Sequence, residues 1–107
     1  MKIVYNITTK IEDEVARKWY RWMMDEHIPA MMGTGCFESY RFFQLTSLPE
    51  EEGHTFTTQF VAVQRKNLQN YLDNHLYALQ AKMDTEFKNQ YVSFQTVMNL
   101  LDEGETA

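Results

Sequence analysis

The chain has 107 residues, 44% of them hydrophobic, which suits one globular domain with a packed core. Its formal net charge of -5 argues against nucleic acid or an anionic membrane as the main partner, because both attract clustered Lys and Arg. The single cysteine, Cys36, excludes an internal disulfide. Because the chain also lacks a signal peptide and an apolar run long enough to span a bilayer, we expect a soluble cytoplasmic protein.

The first elements along the chain are predicted to be a strand and a long helix. Residues 2–8 are rich in β-branched and aromatic side chains, which is typical of a strand. Thr9 and Glu12 have the spacing of a capping box, in which a hydroxyl residue is followed three positions later by a carboxylate. We therefore expect a helix over residues 10–28, with one further turn before the Gly-Thr-Gly segment at 33–35 ends it.

An apolar stripe runs along this helix and leads to a histidine. Its members, which recur every three or four residues, are Val15, Trp19, Trp22, Met23 and His27. Pro29 disfavours helical geometry at Ile28, so we expect His27 to lie in a closing or kinked turn. A titratable ring, two indoles and a thioether are thus predicted to lie together where the helix closes.

The middle of the chain is predicted to form a hairpin. Residues 36–46 and 54–64 are both rich in aromatic and β-branched side chains, and a loop with Pro, Gly and three carboxylates separates them at 47–53.

A second helix and a last strand follow the hairpin. The helix is expected over residues 67–88, with Asn67 as its N-cap and Asn89 as its stop. The residues of its apolar stripe are Leu68, Leu72, His75, Leu79, Met83 and Phe87. Residues 91–101 read as a strand, so residues 1–101 are predicted to form one domain, followed by an acidic tail at 102–107.

The order strand, helix, strand, strand, helix, strand predicts an α+β protein with a ferredoxin-like βαββαβ fold. In this fold a four-stranded antiparallel sheet carries both helices on one face. The last strand places Val92, Phe94 and Met98 on one side and Tyr91 and Val97 on the other, so both faces of the sheet are apolar. We therefore expect a homodimer in which two sheets pack face to face. The alternative is a monomer with an exposed apolar face.

The sequence also resembles an uncharacterised family of short bacterial proteins known only as a domain of unknown function. The residues that carry the resemblance are Tyr5-Asn6, Trp19, Trp22-Met23, His27-Ile28-Pro29, Thr34-Gly35, Phe37, Tyr71 and His75. The resemblance implies the dimeric α+β barrel superfamily, in which two ferredoxin-like subunits join their sheets. Some members of that superfamily are cofactor-poor monooxygenases or haem enzymes, others have no known activity, and this family implies no assigned reaction.

Two histidines are the main candidate site residues. His27 is a candidate general base or ligand-orienting group, because its ordinary pKa is about 6.5. It could instead cap the helix by donating to a free carbonyl in the last turn. His75 could pair with His27 around a small molecule or a metal, or be a hydrogen-bonded core residue. Two histidines on different helices are not a metal signature, and we predict no metal site.

Other candidates are weaker. Glu50, Glu51 and Glu52 could bind a cation, although a solvated hairpin tip is the simpler interpretation. Cys36 has no nearby base and is expected to be a small residue at a strand start. Arg41 would line a polar pocket if it points toward the helices and would join the interface if it points outward.

These features favour a homodimeric small-molecule-binding module with a pocket between helices and sheet. The expected ligand-binding residues are Trp22, Met23, His27 and His75, the expected ligand is small and apolar or aromatic, and no cofactor is identified. One alternative is a monooxygenase-like enzyme with His27 as base, which requires a cavity of roughly 300 Å³ or more. Another alternative is a structural or interaction protein without a ligand.

Overall fold

The structure, a computed structural model, describes residues 1–47 and 53–106. Its elements are β1 (Ile3–Ile11), α1 (Asp13–Trp22), a π-helical turn (Met23–His27), α2 (Ile28–Gly33), β2 (Ser39–Gln44), β3 (His54–Ala62), α3 (Arg65–Asn74), α4 (Leu76–Glu86) and β4 (Tyr91–Asn99). The strands form one antiparallel sheet in the order β2-β3-β1-β4. This order confirms the predicted ferredoxin-like fold. None of the described helices has the length and apolar composition that crossing a bilayer requires.

The first strand is longer than predicted, and the predicted capping box is wrong. β1 extends to Ile11 because its last residues pair on both sides, Ile11 with His54 in β3 and with Tyr91 in β4. Thr9 is therefore a buried strand residue, only 3% exposed. α1 begins at Asp13 after Glu12, whose side chain makes no capping hydrogen bond.

The first helical segment continues through the predicted closing point. The π-helical turn joins α1 to α2, and the N–H of Ile28 bonds to the carbonyl of Met23, five residues earlier. This wider turn lies just before Pro29, whose ring would meet the carbonyl four residues back in a regular helix. The segment ends at Gly33, as predicted, and His27 lies inside it instead of at its end.

The second predicted helix is divided into two helices. α3 ends at Asn74, and His75, with φ of -126°, separates it from α4. α3 begins at Arg65, and Asn67 caps it from the third helical position by accepting the N–H of Gln64 at 3.1 Å. The break lets both halves bury residues against the twisted sheet.

The core lies between the helices and one face of the sheet. Its fully buried large side chains are Ile11, Trp19, Met31, Phe60, Tyr71 and Phe87. Phe37 also belongs to this core at 6% exposure, because β2 begins only at Ser39 and Phe37 precedes it.

The outer face of the sheet is uncovered in the single chain. We define it by the residues that the register places opposite the core: Val4, Asn6, Thr8, Lys10, Ser39, Arg41, Phe43, Thr55, Thr57, Gln59, Val61, Val92, Phe94, Thr96 and Met98. Val92 is 68% exposed and Phe94 is 62% exposed. Arg41 lies directly opposite Gln59, so it points outward with this face. The predicted side assignment of the last strand is confirmed.

Candidate functional site

The candidate site is centred on His27, which the π-helical turn holds against Trp22. The two rings stack with their centroids 5.0 Å apart and an interplanar angle of 22°. Trp22 in turn meets the ring of Phe87 edge-on at 5.4 Å, which anchors this pair to the segment after α4. π-helical turns inside α-helices are frequent at functional sites.

The stacked pair lines a cleft of about 550 Å³ between the two helical segments. One wall comes from α1, the π-helical turn and α2, and the other comes from α4. Its lining residues include Trp22, Glu26, His27, Ala30, Leu79 and Lys82. An aromatic platform, short apolar side chains and a charged rim are therefore brought together, which is typical of small-molecule sites.

His27 is buried without a polar partner. Its residue exposure is 7%, and its side chain makes no hydrogen bond to any residue that the structure describes. Burial lowers the pKa of the imidazole to about 4, because the charged form loses its solvation, so the ring is neutral at pH 7. A neutral imidazole offers one N–H donor and one nitrogen acceptor. Because His27 lies inside the helical segment, it does not cap a helix end.

The other predicted ligand-binding residues lie elsewhere. Met23 is a core residue at 3% exposure and does not line the cleft. His75 is half-buried at the junction of α3 and α4 and is also absent from the cleft wall. The predicted pairing of His27 with His75 is therefore not seen, because the cleft faces α4 and not the helix junction. Only Trp22 and His27 of the four predicted residues are brought together there.

The position of the cleft also differs from the prediction. No strand residue among those described lines it, whereas the space between helices and sheet around Trp19 and Phe60 is filled with core side chains. A separate groove of about 520 Å³ does lie between α4 and β4. There the hydroxyl of Tyr91 donates to Asp84 and accepts from Gln80. None of the predicted site residues lines that groove.

Charged residues at the rim were missed by sequence reasoning. Glu26 lies on the π-helical turn and Lys82 on α4, and neither forms an ion pair within the described part of the chain. Glu86, also on this rim, is 3.9 Å from Lys18. In the sequence these residues resemble ordinary solvated helix charges, and only their position on the wall of one cleft distinguishes them.

The remaining candidates have simple structural roles or lie outside the described residues. Cys36 is buried and accepts a hydrogen bond from the amide of Asn70 at 3.4 Å. The described residues hold no cluster of three or more His, Cys, Asp or Glu arranged to bind a metal. The acidic loop residues Glu50, Glu51 and Glu52 lie outside the described ranges.

Solved structures with the same fold cover nearly the whole chain. A dimeric ferredoxin-like protein from an uncultured marine organism matches with a TM-score of 0.72 at 8% identity, over 99% of this chain and 100% of its own. SnoaB, a cofactor-independent oxygenase from Streptomyces nogalater, matches with a TM-score of 0.70 at 7% identity, over 95% of both chains. An EthD family protein from Bacillus halodurans matches with a TM-score of 0.69 at 10% identity, over 92% of this chain and 99% of its own. At these identities the likeness shows the fold alone.

The family assignment comes from the sequence itself. No relative of the chain is found among curated proteins. The profile of one family, DUF4286, matches residues 2–101. This range includes all the helices and strands that the structure describes. The resemblance to a family of unknown function is thereby confirmed, and the chain belongs to DUF4286, a domain of unknown function.

Proposed function

We propose that the protein is a small-molecule-binding module whose site is the cleft between the π-helical turn and α4. The observation that carries this proposal is the imidazole of His27, which is buried on the cleft wall with no hydrogen-bond partner among the described residues. The ring nitrogens of His27 are not fully buried, unlike Trp19 Nε1, so a bound molecule that replaces their water contact with a hydrogen bond gains about 0.5–1.5 kcal/mol net.

The lining indicates the class of ligand. Trp22 presents an aromatic surface beside His27, and Ala30 and Leu79 supply apolar contacts. A planar aromatic molecule would stack there, as aromatic rings do at centroid distances of about 4.5–7 Å. A hydroxyl or carbonyl on that molecule would bond to His27. We therefore expect the apolar or aromatic ligand that the sequence predicts to carry at least one polar group.

The test is ligand-dependent stabilisation. A panel of phenols, flavins and haemin would be screened by thermal melting and by quenching of tryptophan emission. A ligand at one hundred times its Kd should add about 2.7 kcal/mol, which raises the melting temperature by several degrees. Trp22→Phe should remove most of the quenching, because Trp19, the only other tryptophan, is fully buried in the core.

A matched pair of variants locates the site. His27→Gln should weaken binding about three- to tenfold, whereas His75→Gln, the same change at a histidine outside the cleft, should leave the affinity unchanged. Equal affinities of the two variants, or a panel in which no compound shifts the melting temperature, would contradict the proposal.

A monooxygenase-like activity is the second candidate, because the cleft exceeds the volume that a substrate needs and His27 lies on its wall. One of the fold neighbours, SnoaB, is described as a cofactor-independent oxygenase. The pKa of about 4, however, makes His27 a weak base for removing a proton from a phenol with a pKa near 10. We therefore favour binding over catalysis. Oxygen uptake that depends on an aromatic substrate and is lost in His27→Gln would reverse this preference.

We further propose that the protein is a homodimer joined through the outer face of the sheet. Large apolar side chains such as Phe94 are exposed on this face, and the edge strand β4 has nine residues without a charge or a proline. Edge strands of this kind invite pairing unless they are covered. Two fold neighbours are described as dimeric ferredoxin-like proteins. We place the homodimer in the cytoplasm, with residues 1–101 as one domain.

A further inference from the structure

We propose that the groove between α4 and β4 is a second binding site, which takes a small organic cation through the carboxylate of Asp84. The groove has a volume of about 520 Å³ and shares no lining residue with the cleft of His27. α4 separates the two spaces, since Lys82 lines the cleft and Asp84 lines the groove. The inference therefore does not rest on the ligand proposed for the cleft.

A directed chain of hydrogen bonds crosses the groove and ends at Asp84. The side-chain nitrogen of Gln80 donates to the hydroxyl of Tyr91 at 2.6 Å, and that hydroxyl donates to the carboxylate of Asp84. Gln80 and Asp84 are four residues apart on α4, so they project from the same face of the helix, and Tyr91 is the first residue of β4. The chain holds the carboxylate in place before a ligand arrives, which lowers the entropic cost of binding.

Asp84 keeps acceptor capacity for a ligand. Burial and the neighbouring carboxylate raise the pKa of Tyr91, so its hydroxyl stays protonated and continues to donate to Asp84. That bond occupies one carboxylate oxygen, and the other accepts no hydrogen bond from the described residues. Because an ionised carboxylate has about four acceptor positions, a donor from a bound molecule can be added without breaking the chain.

The charge of the groove favours an organic cation. Of the groove's lining residues that the structure describes, Asp84 alone carries a charge, and no ion pair within the described ranges neutralises it. A cation is therefore attracted and an anion is repelled. A metal ion fits less well, because hard cations require several oxygen ligands and the described residues contain no group of three or more His, Cys, Asp or Glu that could hold one.

The neutral part of the lining indicates an ammonium group on a short alkyl chain. An ammonium has three N–H donors, and Ser93 and Gln95 line the same groove as further acceptors beside the Asp84 carboxylate. The ring of Tyr91 and the side chain of Leu76 supply the apolar surface that an alkyl chain contacts.

The groove stays accessible in the proposed homodimer. Tyr91, Ser93 and Gln95 alternate along β4 with Val92 and Phe94 of the outer face, so they lie on the helix-facing side of the sheet. A second copy that covers the outer face therefore leaves this row uncovered.

The first experiment titrates the full chain with three probes of equal length and different charge, n-butylammonium chloride, n-butanol and sodium butyrate. Binding is followed by the backbone amide signals of Asp84 and Ser93 in nitrogen-proton correlation spectra. n-Butylammonium should saturate with a Kd of about 1–10 mM. n-Butanol should bind at least about tenfold more weakly, because it lacks the charge-assisted hydrogen bond, and butyrate should give no saturable shift.

The second experiment locates the cation with a matched pair of variants. Asp84→Asn should raise the Kd of n-butylammonium at least about tenfold. Asp73→Asn is the control, because Asp73 is an exposed carboxylate of α3 that also accepts a side-chain amide, from Gln69 at 2.9 Å, and lies outside the groove. That change should leave the Kd unaltered. Both aspartates are exposed, so neither change should alter the far-ultraviolet circular dichroism.

Three outcomes would overturn this inference. They are the absence of a saturable shift up to about 50 mM n-butylammonium, equal Kd values for n-butylammonium and n-butanol, and equal effects of the two variants. Each leaves the cleft of His27 untouched, because that site is tested with other compounds and other variants.

Discussion

His27 is the residue on which the proposed binding site depends. Its ring is removed from water and stacked on Trp22, so protonation is disfavoured and the pKa falls to about 4. Its nitrogens make no hydrogen bond to any residue in the described part of the chain, although they are not fully buried. Among the described residues the fully buried side-chain atom without a partner is Trp19 Nε1, in the core and away from the cleft.

His27 should make the stability of the protein depend on pH. The unfolded histidine binds a proton below about pH 6.5, whereas the folded one does so only near pH 4. The contribution of the neutral His27 ring to the free energy of unfolding is therefore complete above pH 6.5. As the pH falls toward 4, up to about 3 kcal/mol of this free energy is lost. Urea unfolding of the wild type and of His27→Gln at pH 7 and pH 4.5 would measure it.

Subtracting the pH dependence of His27→Gln from that of the wild type isolates the effect of His27 from the effects of carboxylates that titrate in the same pH range. The wild type should lose more stability than His27→Gln as the pH falls, whereas His75→Gln should behave as the wild type does. If the stability of His27→Gln falls with pH as steeply as that of the wild type, the burial argument is wrong.

At the scale of elements, the close approach of neighbouring segments fixes several boundaries. β3 begins directly after Gly53, which is buried and has φ of +116°, a conformation that L side chains rarely adopt. A Cβ at this position would lie 2.5 Å from the carbonyl oxygen of Ile11, at the end of β1. The hairpin can therefore pass the end of β1 only because residue 53 is a glycine.

Gly53→Ala should destabilise the fold by about 2 kcal/mol or more, because the clash is with backbone and adds to the strain of a positive φ. Gly33→Ala is the matched control, since Gly33 is helical, exposed and has nothing within 4 Å of its added Cβ. That control should change stability by less than about 1 kcal/mol, in the stabilising direction. Urea unfolding checks both, and equal effects of the two changes would refute the argument.

The helical segments also show what local signals miss. Pro29 correctly indicated an irregularity near His27. The chain accommodates the proline with a wider π-helical turn, so the helical segment continues to Gly33. The stripe of the second helix gave no sign of the break at His75. Apolar residues keep nearly the same spacing across the break, because both halves pack on the same sheet.

At the scale of the whole molecule, the sheet is covered on one side only. The outer face mixes exposed apolar residues, such as Val92 and Phe94, with polar ones, which include uncharged Thr96 and the cations Lys10 and Arg41. This composition suits a subunit interface better than a surface that stays in water. Glu103 and Glu105, which follow the end of β4, lie at the margin of the same face.

Phe94→Lys should weaken self-association without unfolding the chain. In the single chain the side chain is 62% exposed, so the fold tolerates a charge there, but the proposed dimer would bury it unpaired. We expect the dimer Kd to rise at least about tenfold in sedimentation equilibrium. Tyr77→Lys, at an 89% exposed aromatic residue of α4, is the control and should leave Kd unchanged. An unaltered Kd for Phe94→Lys would place the interface elsewhere.

The sequence by itself determined the order of the elements, the antiparallel sheet and the apolar character of both faces. These follow from local periodicity, since alternation marks strands and spacings of three or four mark helices. Tertiary structure decided what periodicity cannot encode. Thr9 became a strand residue because β1 gained partners on both sides, and Lys82 and Glu26 line one cleft only because two helices that are distant in sequence pack together. His75 was separated from His27 for the same reason: residues that share an apolar stripe meet only where the packing of their helices brings them together.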